Sequence, residues 1–366
     1  MKLINELEAS VLEFLKLDKR RLQGMIKLLL GLLMVRSINL KKVACVMFGS
    51  AKSASKYRRL QRFFSGCWLD YNAIACMIFK WFKFYKGRHY LILDRTNWQL
   101  GKRDINILFL CIAYKKIAIP IFCLILKGKG NSSTKERIAL IDRFIKVFGR
   151  DNILGILGDR EFIGQDWFAY LNNQGLTFYF RIKKDADTTN KKGQSISVHW
   201  LFYNLPLHQA RIMQGQRLIY GHRLFITGMR LKDDYLIVVS NQSSTNLLEV
   251  YGIRWEIETL FGCLKTKGFY FEDTHIIHRA RLKKIVAILS IAFCWAHLTG
   301  EWRHRHEKVI PLKKHGRPQY SLFRYGLDWI VEALIQRGYK LRRLTTLLVK
   351  LLRPNFDINM PKGMLV

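Results

Sequence analysis

Cysteine motifs are absent from this sequence. Its seven cysteines, an odd number, are scattered, and no two of them form a C-x-x-C pair. This pattern excludes a zinc-binding framework and a disulfide framework. It is typical of a protein in a reducing cytosol, so a cytoplasmic location is expected.

Long hydrophobic runs are also missing. The runs at 28–35 and 285–299 are shorter than the roughly twenty residues that span a bilayer, and the second contains His297. The first residues, MKLINELEASVLEFLK, mix acids with apolar residues and show no signal-peptide core. We therefore expect both runs to be buried core helices and expect no membrane partner.

Acidic residues are scarce. Asp and Glu number 27 against 62 Lys and Arg, which gives the 366-residue chain a formal net charge of +35. A field of this sign and size attracts polyanions. Nucleic acid is the first partner to consider, and a membrane surface of acidic lipid is the second.

Residues 1–85 carry helical periodicity and almost no strand signal. A short helix, a glycine-containing break and a basic helix follow one another between 39 and 66, in the manner of a helix-turn-helix pair. A solvated cationic helix would look the same, but the charge of the whole chain favours DNA contact. The predicted contacts on the basic helix are Lys56, Arg58, Arg59 and Arg62.

Near residue 86 the sequence pattern changes from helical periodicity to apolar runs that are typical of strands. Three apolar strands, with Lys115 and Lys116 at a turn, precede a pattern of helix, strand, helix and strand, which predicts a mixed sheet flanked by helices. A polar, glycine-rich stretch at about 185–245 predicts an inserted β subdomain. We expect a core at 86–280 and a basic, helical C-terminal region at 281–366 that could serve dimerisation.

Two aspartates follow apolar strands. Asp94 ends the first predicted strand and Asp159 ends the fourth. If these strands are neighbours in the sheet, both carboxylates emerge at one place, and a third carboxylate from a later helix could complete the group. Carboxylate oxygens suit Mg²⁺, and a pair of such ions stabilises the attacking and leaving oxygens of phosphoryl transfer.

The stretch YGIRWEIETLFGCLKTKGF, residues 251–269, separates polar from apolar positions. One continuous helix over about 247–267 would bring Tyr251, Arg254, Glu258 and Lys265 within roughly 60° of one another. The face could be solvated and carry ordinary ion pairs. Alternatively, Glu258 is the third metal ligand, and Arg254 and Lys265 neutralise DNA phosphates.

The spacing of these four residues resembles a known signature. Tyr, two residues, Arg, three residues, Glu, six residues and Lys mark the DDE transposases of bacterial insertion sequences in insertion sequence family four. The segments LDRTNW and LGDREF, around Asp94 and Asp159, also resemble the aspartate motifs of that family. The resemblance covers residues 89–270.

This resemblance implies a fold and an activity. The fold would be an RNase H-like core with a β insertion between the second aspartate and the glutamate. Asp94, Asp159 and Glu258 would hold two Mg²⁺ ions, or Mn²⁺ in their place. The enzyme would cleave double-stranded DNA at the ends of its element and join the 3′-hydroxyls to target DNA, acting as a homodimer. In relatives, the hydroxyl first attacks the opposite strand and forms a hairpin.

The resemblance also suggests further DNA contacts. Trp255 could stack on an unpaired base near a hairpin or could equally be a core tryptophan, and Arg181 resembles a DNA-contacting arginine on the last core strand. Glu161 could assist the metal site, but a local pair with Arg160 is the preferred interpretation.

Other functions remain open at this stage. A catalytically silent DNA-binding protein derived from a transposase would share most of these features, but the three acids disfavour it. Another RNase H-like nuclease is disfavoured by the cations around Glu258. A membrane-surface protein is the most distant alternative.

Overall fold

Residues 2–190 and 192–353 are described by a computed structural model. They form two units. A helical unit contains residues 2–83, 100–103 and 261–353, and a sheet unit contains residues 84–99 and 104–260. The predicted N-terminal and C-terminal regions thus belong to one unit, and its boundary lies near 261 rather than at 280.

The N-terminal part of the helical unit is helical, as predicted. Asn39 caps the third helix, and Gly49 with a φ of 120° lies in the break before the fourth, so the short helix, turn and basic helix are all present. The five helices are α1 (Lys2–Leu12), α2 (Lys19–Val35), α3 (Leu40–Val46), α4 (Ser53–Gly66) and α5 (Tyr71–Trp81).

The sheet unit is built on a central mixed sheet. Its first part contains β1 (His89–Leu100), β2 (Arg103–Tyr114), β3 (Ile117–Ile125), α6 (Thr134–Phe148), β4 (Ile153–Gly158), α7 (Gln165–Asn173) and β5 (Phe178–Arg181). The spatial order is β3-β2-β1-β4-β5, with β2 and β3 antiparallel and with β1, β4 and β5 parallel. Helices flank this sheet, which confirms the predicted fold class of an RNase H-like core.

Local signals explain most of these boundaries. Lys115 and Lys116, both with positive φ, form the turn between β2 and β3. Ser133 caps α6 in a reciprocal capping box with Glu136, and Gly149, with a φ of 84°, ends the helix. These stop and start residues were readable in the sequence.

Strand β1 is longer than predicted. It continues to Leu100, so Asp94 lies within the strand instead of ending it. Its parallel pairing with β4 nevertheless stops at Leu93. The extension alternates in burial, as is usual for an antiparallel strand with one face towards water. Because it contains polar residues, a prediction based on apolar runs ends the strand too early.

The insertion extends the central sheet instead of forming a separate β subdomain. Strand β11 pairs antiparallel with β5, and β10 pairs with β11, β8 and β9. Strands β6 and β7 form a separate two-stranded sheet. The six strands are β6 (Asp187–Thr189), β7 (Ser195–Ser197), β8 (Ala210–Ile212), β9 (Arg217–Ile219), β10 (His222–Arg230) and β11 (Tyr235–Ser240).

The predicted helix at 247–267 is helical in three steps. Helix α8 (Leu247–Gly252) continues through a tighter 3₁₀ turn (Ile253–Trp255) into α9 (Glu256–Leu264). The 3₁₀ turn has about three residues per turn, so the predicted alignment of one uniform face does not hold along the whole segment. Gly252, with the weakest helix propensity of the segment, immediately precedes the change.

Three helices complete the helical unit: α10 (Arg279–His306), α11 (Leu322–Gln336) and α12 (Gly338–Leu351). Helices α10 and α11 meet backbone to backbone at Gly300 and Gly326, where a β-carbon would lie 1.8 Å from Leu322 O and 1.9 Å from Ala296 O respectively. Side chains at these two positions would force the helices apart.

Helix α10 contains the second apolar run of the sequence. Within residues 2–190 and 192–353 it alone is long and apolar enough to cross a membrane, and 94% of the apolar stretch is buried inside the protein. A buried core helix meets the same criteria, so its length and composition are weak evidence for a membrane span. All seven cysteines lie in the described part of the chain and are free.

Candidate active site

Asp94 and Asp159 are brought together by the strand register. Leu93 pairs with Gly158 in the parallel ladder of β1 and β4; Asp94 is the next residue of β1, and Asp159 immediately follows the end of β4. Neighbouring strands lie about 4.8 Å apart. Gly158 has no side chain because a β-carbon there would lie 2.7 Å from the Phe180 ring. The predicted meeting of the two carboxylates therefore follows from the register.

The charge of Asp94 is incompletely compensated. Burial raises its pKa to about 6 from 3.8, while the Arg254 guanidinium and the backbone N–H of Arg95 oppose the rise. The Glu161 and Asp159 carboxylates raise it further by repulsion. The site thus concentrates negative charge in a place poor in water.

Arg254 connects two of the three predicted catalytic acids. Its Nη1 donates to Asp94 Oδ2 at 2.9 Å, and its Nη2 donates to Glu258 Oε1 at 3.2 Å. The side chain is buried, and its guanidinium carbon lies 4.8 Å from the centre of the Trp255 ring and 5.7 Å from that of Tyr251. The sequence predicted a phosphate contact for Arg254; in this structure its partners are carboxylates.

Glu256 holds the start of α9 in place. Its two carboxylate oxygens accept hydrogen bonds from the backbone N–H groups of Tyr114 and Lys116, each at 2.8 Å, at the turn between β2 and β3. Glu258 lies two residues further along the helix. No local spacing in the sequence marks Glu256 as a functional residue, because its partners are 142 and 140 residues away.

Glu161 and Arg160 do not form the local pair that the sequence favoured. Arg95 binds Glu161, with Nη2 3.0 Å from Oε2 and Nε 3.2 Å from both oxygens. Arg160 instead lies 3.6 Å from Asp234. That prediction was wrong, because Arg95 follows Asp94 on the neighbouring strand and offers Glu161 a closer cation.

The remaining residues of the signature have different surroundings. Tyr251 is buried, and burial raises its pKa to about 12, so it does not lie on an exposed DNA-contacting face as predicted. Trp255 is 55% exposed, which excludes the core alternative. Lys265 follows α9, belongs to the helical unit, and pairs with Glu272 at 2.7 Å.

Two other residues that were predicted to contact DNA, Arg181 and Lys56, are less exposed than expected. Arg181, the last residue of β5, pairs with Asp234 at 2.8 Å and is mostly buried. On α4, Arg58, Arg59 and Arg62 are exposed, whereas Lys56 is buried on the packed side of the helix. Lys56 therefore does not share the exposed basic face predicted for it.

The donor set suits a hard divalent cation only in part. The incompletely compensated carboxylate of Asp94, together with that of Asp159, offers the oxygen ligands that Mg²⁺ prefers. However, within residues 2–190 and 192–353 no three His, Cys, Asp or Glu side chains are grouped as a ready metal site. Glu258 is exposed and hydrogen-bonded to Arg254, whereas Asp94 and Asp159 are neighbours through the strand register.

Comparisons with known proteins identify the family of the chain. A family model described as the transposase DDE domain matches residues 86–295. No curated protein matches the chain. Among solved structures, the chain is similar to the piggyBac transposase in a synaptic complex with hairpin DNA, at 11% identity and a TM-score of 0.43, with 99% of this chain and 85% of that chain covered.

Proposed function

The chain belongs to the family of transposase DDE domains, and from this premise we propose that it cleaves the ends of its own DNA element and joins them to target DNA. The proposal rests on one observation: the strand register places Asp94 beside Asp159, and Arg254 links Asp94 to Glu258. The strand register and the Arg254 hydrogen bonds thus link Asp159, Asp94 and Glu258 within the sheet unit.

Asp94, Asp159 and Glu258 would hold two Mg²⁺ ions, replaceable by Mn²⁺, which when bound neutralise charge on the attacking and leaving oxygens of phosphoryl transfer. The carboxylates must be ionised to serve as ligands. Burial and the two neighbouring acids keep Asp94 close to protonation. Arg254 favours its ionised form.

The proposed reaction has two displacements. In the first, the oxygen of water bonds to phosphorus at the end of the element, the bond from phosphorus to the 3′ oxygen breaks, and this oxygen leaves as a hydroxyl. In the second, that hydroxyl loses its proton and attacks a phosphodiester, which expels another 3′ oxygen. One phosphodiester bond forms for each that breaks, so the second step needs no energy source. When the attacked strand is the opposite strand of the element, the product is a hairpin.

Side chains around the acids would position the DNA. Trp255 is exposed and could stack on an unpaired base of a hairpin end. Arg254 and Lys265 would contact phosphates, as would Arg181 after release from Asp234. The buried Tyr251 ring would contact the Arg254 guanidinium instead of the DNA.

Several finer features belong to the same proposal. Insertion sequence family four, a bacterial origin and a homodimer in the DNA complex are supported by the resemblance that the signature of Tyr251, Arg254, Glu258 and Lys265 carries, and a cytoplasmic location is supported by the scattered cysteines. Terminal inverted repeats next to the reading frame, bounded by short direct repeats, would identify such an element.

The test compares Glu258→Gln with a matched control, Glu249→Gln. Glu249 is exposed on α8 and undergoes the same chemical change. Labelled DNA carrying the element's ends is incubated in Mg²⁺, and cleavage and gel shift are measured in parallel. We expect Glu258→Gln to lose cleavage by several orders of magnitude and to retain binding, since one ligand of the metal site is gone and repulsion towards phosphate is reduced. Cleavage at the rate of the control would contradict the proposal.

A further inference from the structure

A concave basic surface lies in the helical unit and contains none of the residues assigned to chemistry. It has a volume of about 790 Å³ and is lined by the start of α3, by α4 and by residues 273–281. We call it the basic cleft. Its four cations are Lys41, Arg58, Arg62 and Arg281, and they face one carboxylate, that of Asp273.

These four cations are exposed and uncompensated. Within residues 2–190 and 192–353 none of them forms an ion pair. Other exposed cations of the same unit do find acids: Arg324 pairs with Asp328 at 2.9 Å, and Lys340 pairs with Glu332. The positive charge of the cleft is therefore left unpaired in a unit that pairs other surface cations.

The walls of the cleft are fixed to each other by a buried bond. Lys284, on the first turns of α10, donates from Nζ to the backbone oxygen of Phe64 at 2.9 Å. Phe64 lies on α4 and lines the cleft, and Arg281 lies one turn before Lys284. Burial lowers the pKa of Lys284, so this ammonium is held where desolvation costs it free energy. The bond keeps the Arg281 wall at a set position against α4.

The chemistry of the lining suits a phosphate backbone. Arg58 and Arg62 are four residues apart on α4, so their guanidiniums leave the same face of the helix. Guanidinium groups bind phosphate oxygens in a bidentate manner, and the polar side chains of Tyr57 and Gln61 supply further donors between them.

We propose that the basic cleft binds consecutive phosphates of duplex DNA, an inference that rests on the proposed function for its choice of partner. It adds Lys41 and Arg281 to the DNA-contacting residues predicted on α4. Arg281 lies 219 positions after Arg62, so no local pattern in the sequence predicts that the two side chains share a surface. The cleft would hold the DNA while the acids of the sheet unit act on it.

The test measures how DNA binding depends on salt. The cleft variant of the full chain carries Arg58→Gln, Arg62→Gln and Arg281→Gln. The control variant removes three exposed cations from the loop after α10 that do not line the cleft: Lys313→Gln, Lys314→Gln and Arg317→Gln. Binding of a fluorescent random-sequence DNA duplex is followed by anisotropy in EDTA, between about 50 and 200 mM salt.

We expect the slope of log affinity against log salt to become shallower by about 3 in the cleft variant, because each lost phosphate contact removes roughly one unit. Affinity at the lower salt concentration should fall roughly tenfold or more, and the control variant should bind like the wild type. Equal slopes and affinities for the two variants would overturn the proposal, provided that both unfold at the wild-type temperature. So would a cleft variant that loses binding to anionic vesicles or duplex RNA but retains DNA.

The two proposals fail separately. If the cleft variant binds DNA normally while Glu258→Gln abolishes cleavage, the proposal that the basic cleft binds DNA is wrong and the catalytic assignment stands. If Glu258→Gln cleaves normally while the cleft variant loses affinity, the catalytic assignment is wrong and the cleft remains a DNA-binding site.

Discussion

Replacing Asp94 by asparagine should make the protein more stable and inactive. Burial raises the pKa of Asp94 from 3.8 to about 6, and each pKa unit corresponds to about 1.4 kcal/mol, so the ionised carboxylate costs the folded state about 3 kcal/mol. Asparagine removes this charge at nearly the same volume. Asparagine has one acceptor oxygen, whereas the Asp94 carboxylate accepts from both Arg95 N and Arg254 Nη1. The lost hydrogen bond reduces the gain in stability by about 1 kcal/mol. The expected net gain at pH 7.5 is about 2 kcal/mol.

The gain should depend on pH in a defined direction. Because the folded pKa of Asp94 lies above the unfolded one, wild-type stability is highest when the carboxyl is protonated and falls as pH rises from about 4 through 6. The advantage of Asp94→Asn is therefore largest above pH 6. It should shrink to less than about 1 kcal/mol at pH 5, where the wild-type side chain is mostly protonated in the folded state.

Thermal unfolding in EDTA measures this difference. For a unit of this size, about 2 kcal/mol corresponds to a rise in the unfolding temperature of roughly 4–8 °C at pH 7.5. Asp151→Asn is the matched control, since Asp151 is exposed in the same unit, and it should change stability by less than about 0.5 kcal/mol. Added Mg²⁺ should stabilise the wild type more than Asp94→Asn. A variant less stable than wild type at pH 7.5, or a difference that does not change with pH, would refute the reasoning.

Two further changes test the supports of the site. Glu256→Gln should lower the free energy of unfolding by about 1–3 kcal/mol, because one of the two backbone donors loses its acceptor, and should slow cleavage without changing its metal dependence. The control Glu249→Gln should change neither stability nor cleavage. An unchanged unfolding temperature for Glu256→Gln would contradict the role of Glu256 in holding the start of α9. Arg254→Ala should destabilise by about 3 kcal/mol at pH 7.5, since it leaves Asp94 as a buried charge without its cation. In the double variant with Asp94→Asn the loss from Arg254→Ala should shrink, and strictly additive losses in denaturant titrations would exclude coupling between the two side chains.

The sheet could be predicted because its information is local. Apolar runs bounded by turn residues identified the strands of the core, and the predicted turn at Lys115 and Lys116 is confirmed by the structure. The meeting of Asp94 and Asp159 was also predictable, since both follow strands that a parallel register can align. Patterns with periods of two or 3.6 residues carry this information within a short window.

Contacts between distant segments were not readable. Arg254 is 160 residues from Asp94, and the choice of Asp94 rather than DNA phosphate as its partner depends on the folded geometry. The extension of the sheet by the insertion was missed for a similar reason: the alternation in β11 predicts a strand but does not say that its neighbour is β5. Burial of Tyr251 and Lys56 likewise depends on which face of each helix packs.

The fixed spacing of the signature has a physical explanation in this site. The interval from Tyr251 to Arg254 places a ring one turn before the cation, and the interval from Arg254 to Glu258 makes an i,i+4 pair, so the guanidinium is supported by one neighbour and paired with the other. Its Nη1 and Nη2 each donate to one acid, while Nε finds no acceptor within residues 2–190 and 192–353. A guanidinium has five N–H donors in a planar fork, so donors remain for a phosphate oxygen while both carboxylates stay bound. Lysine, with one nitrogen, could not bridge two acids and a phosphate in this plane. An arginine at this position therefore holds Asp94 and Glu258 together, and its remaining donors are the ones that the proposed function assigns to a DNA phosphate.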